Sequence, residues 1–113
     1  MTRSAILEIE RETRQYSPAL ATTLAATPVI DYRGCVSGEI HVPATTAVLL
    51  TWYSCGTYDG TFVAAYDSAA TPAAVTQTIS GSKAYPFPIA LAGCMFLKCV
   101  SDVAVTVALT IKT

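Results

Sequence analysis

Residues 47–67, AVLLTWYSCGTYDGTFVAAYD, decide the fold of this chain. Two alternating, aromatic-rich stretches flank Asp59-Gly60, and an Asp-Gly pair between two such stretches is the strongest short-range signal for a β-hairpin. In the first stretch the apolar positions that end in Trp52 share one strand face, which predicts that Trp52 packs in the core. The stretch therefore predicts an all-β protein.

The alternation continues on both sides of the hairpin. It predicts short strands at residues 29–36, 39–42, 47–55, 61–67, 73–79, 94–100 and 103–112. The last of these is the most regular, because five apolar residues from Val103 to Ile111 share one face. Short strands at this spacing predict a single antiparallel β-sandwich, jelly-roll-like, over residues 29–113.

The first 28 residues differ in composition from the body. Residues 1–14, MTRSAILEIERETR, hold six of the fifteen charged residues of the chain. Residues 15–28 are small and mostly neutral, and contain Pro18 and Pro28. This contrast predicts an extended N-terminal arm and linker over residues 1–28, with an arm that is an extended segment or an edge strand.

The composition excludes several classes of function. Charged residues make up 13% of the 113 residues, and the outward face of residues 104–110 is small and neutral; ordinary soluble domains have about 25% charged residues. The net charge of −1 gives no footprint for nucleic acid, and no apolar run is long enough to span a membrane. We therefore expect the neutral faces to be covered in an assembly. Because residues 1–14 are too charged for a secretory signal, we expect synthesis in the cytoplasm.

No constellation of side chains predicts catalysis. His41 has Glu39 on the same strand face, but no nucleophile motif accompanies this pair. Asp59 and Asp67 are explained by a turn and a strand end, so we expect a protein that is not an enzyme. The four cysteines, Cys35, Cys55, Cys94 and Cys99, lack the close ligand pairs of a zinc site. They predict free, buried thiols, with no metal and no cofactor; the alternative is a disulfide formed after release from the cell, whose pairing the spacing does not give.

The aromatic residues leave two interpretations open. Tyr58 lies at the hairpin turn, and Tyr85 and Phe87 belong to a Tyr-Pro-Phe-Pro loop whose prolines exclude a central strand. We expect these three to be exposed contact residues. The alternative is a carbohydrate-binding module that stacks sugars on Trp52, Tyr58 and Phe62, so surface glycans are possible partners.

Several motifs in residues 30–112 resemble a known group of proteins. They are Pro43 before an apolar strand, the Asp-Gly-Thr-Phe turn at 59–62, Tyr66-Asp67, and Gly93 followed by Phe96-Leu97-Lys98 and a closing alternating strand. This pattern resembles small β-sandwich structural proteins of tailed phages and prophages, of the head-decoration, head-fibre or tail-associated type.

The resemblance implies a virion structural protein, assembled in the host cytoplasm and located on the capsid surface. It implies a decoration (cement) protein that binds the major capsid protein and stabilises the head, or else a tail or fibre component. We expect a homo-oligomer, most plausibly a trimer, whose arm crosses to a neighbouring subunit by strand addition or lies on the shell. The expected arm contacts are Ile6, Leu7, Ile9, Arg11, Arg14 and Tyr16.

Overall fold

The fold is all-β. A computed structural model describes residues 13–35, 37–42, 47–80 and 83–112. Within these ranges lie eleven strands and one 3-10 turn, in the order β1 Thr13–Tyr16, β2 Ala19–Leu20, β3 Ile30–Asp31, β4 Ser37–Val42, β5 Val48–Cys55, β6 Val63–Ala64, β7 Thr76–Ile79, β8 Lys83–Pro86, the 3-10 turn Ile89–Leu91, β9 Phe96–Ser101, β10 Val105–Thr106 and β11 Ala108–Lys112.

The strands form antiparallel sheets in a sandwich-like arrangement, as predicted. The first sheet has the order β1-β11-β4-β8, and the second has β3-β9-β5-β6 with β7 also paired to β5. A small third pair joins β2 to β10. β1 and β3 are outer strands on one side of the sandwich, and β8 is the outer strand on the opposite side of the first sheet.

Trp52 lies at the centre of the core, as predicted from the strand face. Its side chain is 0% exposed, and neighbouring Val48 and Leu50 are buried with it. The indole Nε1 donates a hydrogen bond to Gln77 Oε1 at 3.0 Å, which satisfies the only polar atom of the ring. The periodicity of β5 therefore fixes which face of the second sheet is internal.

The predicted hairpin forms, with a loop two residues longer than the predicted strand bounds of 47–55 and 61–67 leave. β5 ends at Cys55 and β6 begins at Val63. The loop between them is closed by the Gly60 amide, which lies 3.5 Å from the carbonyl oxygen of Thr57. Among the described glycines, positive φ occurs only at Gly34 and Gly93, so Asp59-Gly60 does not adopt the left-handed pair of a two-residue turn.

Two other predicted strands are shorter than expected for local reasons. The strand at 29–36 is reduced to Ile30–Asp31, because Gly34 adopts a φ of +68° and turns the chain towards β4. The strand at 103–112 is divided into β10 and β11, because Pro18 lies opposite Val107: its carbonyl accepts from the Val107 amide, but proline has no N–H to complete the pair. The inward face is retained, since Val107, Leu109 and Ile111 are all buried.

Part of the predicted arm lies inside the sandwich. β1 pairs along its whole length with β11, from Thr13 opposite Lys112 to Tyr16 opposite Leu109, and Leu20 is buried in the core. Residues 1–12 lie outside the described residues, and so do the contacts expected of Ile6, Leu7, Ile9 and Arg11.

Candidate interaction surface

One end of the sandwich carries two links between the sheets and the loop of the β5–β6 hairpin, and we call it the loop end. The β3–β4 link, the β5–β6 loop and the β8–β9 link all lie there, next to the start of β1 at Thr13. Two main-chain hydrogen bonds hold the described parts of these links. Tyr32 N donates to Met95 O at 2.9 Å and joins the β3–β4 link to the β8–β9 link, and Phe87 N donates to Gly38 O on β4 at 2.8 Å.

The β8–β9 link presents an isoleucine to solvent from a rigid support. Phe87, just before the 3-10 turn, and Leu91, its last residue, are both buried. The Phe87 ring lies 4.9 Å from that of Trp52 and 5.6 Å from that of Tyr32. Ile89, between these two anchors, is 92% exposed. Ile89 is the most exposed of the large apolar side chains in the part of the chain that the structure describes.

The structure corrects the expectation that Phe87 is an exposed contact residue. Its side chain is only 6% exposed, because Gly38 lacks a side chain and the ring fills that space. A Cβ atom at Gly38 would lie 2.8 Å from Phe87 Cδ2. Tyr85 is half-buried against the core, and its hydroxyl oxygen accepts a hydrogen bond from Ser80 N at 3.3 Å. Tyr58 is 66% exposed at the hairpin loop.

Cations and aromatic rings alternate on the outer face of the second sheet. Phe96 is covered by the Arg33 guanidinium, 4.9 Å from the ring centre, and by the edge of Tyr58 at 6.1 Å. Beside it, Lys98 Nζ lies 5.0 Å from the ring centre of Phe62. These stacked pairs leave Phe62 and Phe96 nearly covered, so Tyr58 is the ring of this group that a ligand would meet first.

A shallow pocket of about 370 Å³ lies between the hairpin loop and the β8–β9 link. Val63 and Met95 line it and are both at least half exposed. Cys55 and Cys94 also line it, as free thiols. Hydrogen bonds from the backbone and side chain of Thr57 hold the pKa of Cys55 below its ordinary value.

The other two cysteines have different surroundings. Cys99 is buried in the core, and the cost of burying a charge raises the pKa of its thiol. Cys35 is half-buried beside a guanidinium. All four are free thiols, as expected, but only Cys99 is buried.

A charged cluster joins the outer strands of the two sheets. Arg14 Nη2 on β1 donates to the Arg33 carbonyl at 3.1 Å and to Cys35 Sγ at 2.8 Å. Asp31 on β3 accepts from Arg33 Nε at 2.9 Å and Arg33 Nη2 at 2.8 Å, and lies 3.9 Å from Arg14 Nη1. The Arg33 hydrogen bonds lower the pKa of the Asp31 carboxyl to about 2. Arg14, expected as an arm contact, thus contacts its own sandwich.

An apolar groove of about 340 Å³ opens next to this cluster, between β1 and β3. Its walls are formed by Tyr16, Ser17, Pro18, Pro28, Val29, Ile30 and Asp31. Tyr16, another expected arm contact, is 39% exposed on the rim. The groove could not be found from sequence, because its two walls come from segments that are distant along the chain.

The side chains weighed for catalysis do not share a pocket: Glu39 lines one of about 420 Å³, but His41, Asp59 and Asp67 do not line it. Glu39 and His41 lie on the exposed face of β4, two residues apart, as the strand pattern predicts. Asp67 closes its own loop by accepting hydrogen bonds from Ala69 N at 3.2 Å and Ala73 N at 3.1 Å. No group of three His, Cys, Asp or Glu side chains that could hold a metal occurs in the part of the chain that the structure describes.

The fold and surface together define a small antiparallel β-sandwich with an apolar loop end and an open side groove. A solved structure with the same fold is that of the SPBc2 prophage-derived protein YomS, at a TM-score of 0.52. The two share 13% sequence identity, and the match covers 91% of this chain and 95% of that chain. No family model matches the chain, and no curated protein has significant sequence similarity to it. None of the described helical segments is long and apolar enough to cross a membrane.

Proposed function

We propose that the protein is a non-enzymatic virion structural protein of a tailed phage, which decorates the capsid and binds its surface through the loop end. The observation that carries the proposal is Ile89, exposed to 92% on a turn anchored by two buried side chains. A rigid apolar group loses little conformational freedom on binding, so its burial contributes directly to affinity.

Neighbouring side chains extend this contact surface. Tyr58, Val63 and Met95 are at least half exposed and belong to the same end of the sandwich. Aromatic residues and methionine are enriched in the buried centres of interfaces, whereas most charged side chains are depleted there. The fold shared with a prophage-derived protein supports a phage setting, as does the sequence resemblance.

The proposal is tested by binding to shells assembled from the major capsid protein of the same phage. Replacing Ile89 by serine is expected to weaken co-sedimentation with shells roughly tenfold to hundredfold, the equivalent of about 1.5–3 kcal/mol for an apolar side chain that leaves the interface. Val103→Ser is the matched control, because Val103 is also an exposed apolar residue (43%) but lies at the opposite end. If Ile89→Ser binds shells as well as Val103→Ser does, the loop end is not the binding surface.

The location on the particle is read from purified virions. The proposed head location requires the chain to be present in mature heads at a fixed ratio to the major capsid protein. Presence only in separated tails would assign it to the tail or fibre alternative. Absence from particles would refute the virion role altogether.

Glycan binding is the second candidate function. The ring left to stack on a sugar is that of Tyr58, beside Arg33. Trp52 is fully buried and Phe62 is covered by Lys98, so neither offers a free ring face to a sugar. A glycan array on the intact chain and on Tyr58→Ala tests this candidate. Binding that Tyr58→Ala removes would support it, whereas an array without signals would reject it.

A further inference from the structure

Among the residues that the structure describes, no strand pairs with the outer edge of β1, beside which the groove between β1 and β3 opens. β1 is the outer strand of the first sheet, and β11 is its partner on the other side. An outer strand presents unpaired main-chain N–H and C=O groups, to which an extended peptide adds as a further strand. The adjoining groove would then hold the side chains of that peptide.

We propose that residues 5–9 of a second copy of this chain, Ala-Ile-Leu-Glu-Ile, bind along the edge of β1 and fill this groove. The inference deepens the proposed function and rests on it, since it identifies how the decorating protein associates with itself. In this arrangement the N-terminal arm binds a second copy of the chain and not the capsid shell.

The chemistry of the segment matches the groove. In an extended segment, Leu7 and Ile9 project to the same side and would meet the apolar walls formed by Pro18 and Val29. Ile6, Glu8 and Glu10 project to the other side. Asp31 lines the groove at that level, and Arg14 and Arg33 lie against it with side chains 28% and 60% exposed. These two guanidinium groups beside the groove are the cationic partners for Glu8.

The direction of the chain favours a second copy over the same copy. β1 begins at Thr13 at the loop end, whereas the groove begins at Tyr16, at the far end of β1. To fill its own groove the segment would have to reverse within Glu10–Thr13. This sequence, Glu-Arg-Glu-Thr, contains no Gly, Pro, Asn or Asp to form a tight turn.

The length of the segment is sufficient to reach a neighbour. The eight residues 5–12 span roughly 26 Å when extended, at about 3.3 Å per residue. Reciprocal exchange between two copies gives a dimer, and donation of each arm to the next copy closes a ring such as a trimer. Either arrangement buries the apolar side chains of the segment.

Two variants with complementary defects test the proposal. The donor variant, Leu7→Asp with Ile9→Asp, keeps the groove but loses the apolar segment. The acceptor variant, Tyr16→Asp with Val29→Asp, keeps the segment but places charges in the groove. Light scattering coupled to size exclusion measures the mass of each variant alone and of the 1:1 mixture, without capsid shells.

The expected result is an oligomeric wild-type chain, two monomeric variants, and a 1:1 heterodimer in the mixture. Self-association of each single variant is expected to weaken on the order of a hundredfold, as for two apolar side chains lost from a contact. A monomeric wild-type chain, or a variant that associates as well as wild type, would overturn the proposal. A mixture of folded variants that stays monomeric would do the same.

A labelled peptide keeps the test decisive if the acceptor variant fails to fold. The peptide SAILEIERE, residues 4–12, is expected to bind the donor variant in fluorescence anisotropy, whereas a peptide of the same composition in scrambled order is not. Equal binding of the two peptides, or binding of neither, would refute the groove as the acceptor. Because no shells are present, this result is independent of whether the protein binds capsids.

Discussion

Truncation of Phe87 separates a packing role from a contact role. The ring is 6% exposed and packs on the rings of Trp52 at 4.9 Å and Tyr32 at 5.6 Å. Phe→Ala at a buried site lowers the free energy of unfolding by about 3–5 kcal/mol. Each aromatic pair contributes about 0.5–1.5 kcal/mol beyond area burial. The measured cost of Phe→Ala already includes most of this pair energy. We therefore expect a loss of about 4 kcal/mol for Phe87→Ala.

A loss of that size is a large part of the roughly 5–15 kcal/mol that stabilises a typical domain. The assay is equilibrium urea denaturation followed by the fluorescence of Trp52, the single tryptophan, whose ring contacts the substituted side chain. Ile89→Ala is the control, because a side chain exposed to 92% changes the free energy of unfolding by less than about 0.5 kcal/mol.

The opposite pattern would refute the packing of the β8–β9 link. If Phe87→Ala unfolds at the same urea concentration as wild type but loses binding to shells, Phe87 is a surface contact. The rigid support proposed for Ile89 would then be wrong as well, since it depends on the buried Phe87 ring. Phe87→Leu, which keeps most of the buried volume, is expected to recover most of the stability.

Three further measurements test other parts of the structure. Gly38→Ala is expected to lower the free energy of unfolding by about 1–3 kcal/mol, because its Cβ would lie 2.8 Å from a buried ring carbon, whereas Gly56→Ala, with nothing within 4 Å, serves as the neutral control. Asp31→Asn is expected to cost less than about 1 kcal/mol near neutral pH, given its partial exposure. That cost should disappear as the pH falls from about 4 towards 2, since the pKa of Asp31 is lowered to about 2 in the folded state and its contribution is lost on protonation. A pH-independent difference would contradict the ion pair. In thiol labelling, Cys55 is expected to react first because the pKa of its thiol is lowered. Cys99 is expected to react only after unfolding, because its thiol is buried and has a raised pKa. Fast labelling of Cys99 in the folded protein would contradict its burial.

Local patterns in the sequence predicted the elements whose partners are also local. Alternation in residues 48–52 predicted the buried face of β5, and the Asp-Gly pair predicted the β5–β6 hairpin. Both are confirmed because strand periodicity and turn propensity act over a few residues. The second strand of the hairpin begins two residues later than predicted, at Val63 instead of residue 61.

Features that depend on distant segments were not predictable from local patterns. The burial of Phe87 requires the missing side chain of Gly38, forty-nine positions earlier, and the neighbouring rings of Trp52 and Tyr32. A Pro-Phe-Pro loop by itself is equally typical of an exposed connection. Similarly, the interruption before β11 depends on Pro18 of the opposite strand, which faces Val107 in the ladder and has no N–H to donate.

The sequence by itself determined that this is an all-β chain with few charges and a charged N-terminal segment, because composition and period-two alternation are local properties. Only the tertiary structure decided which apolar side chains stay outside. It buried Phe87, exposed Ile89, and joined β1 to β3 around an apolar groove. Exposure depends on which segments pack together across the sandwich, and that packing is set by long-range contacts that no short stretch of sequence contains.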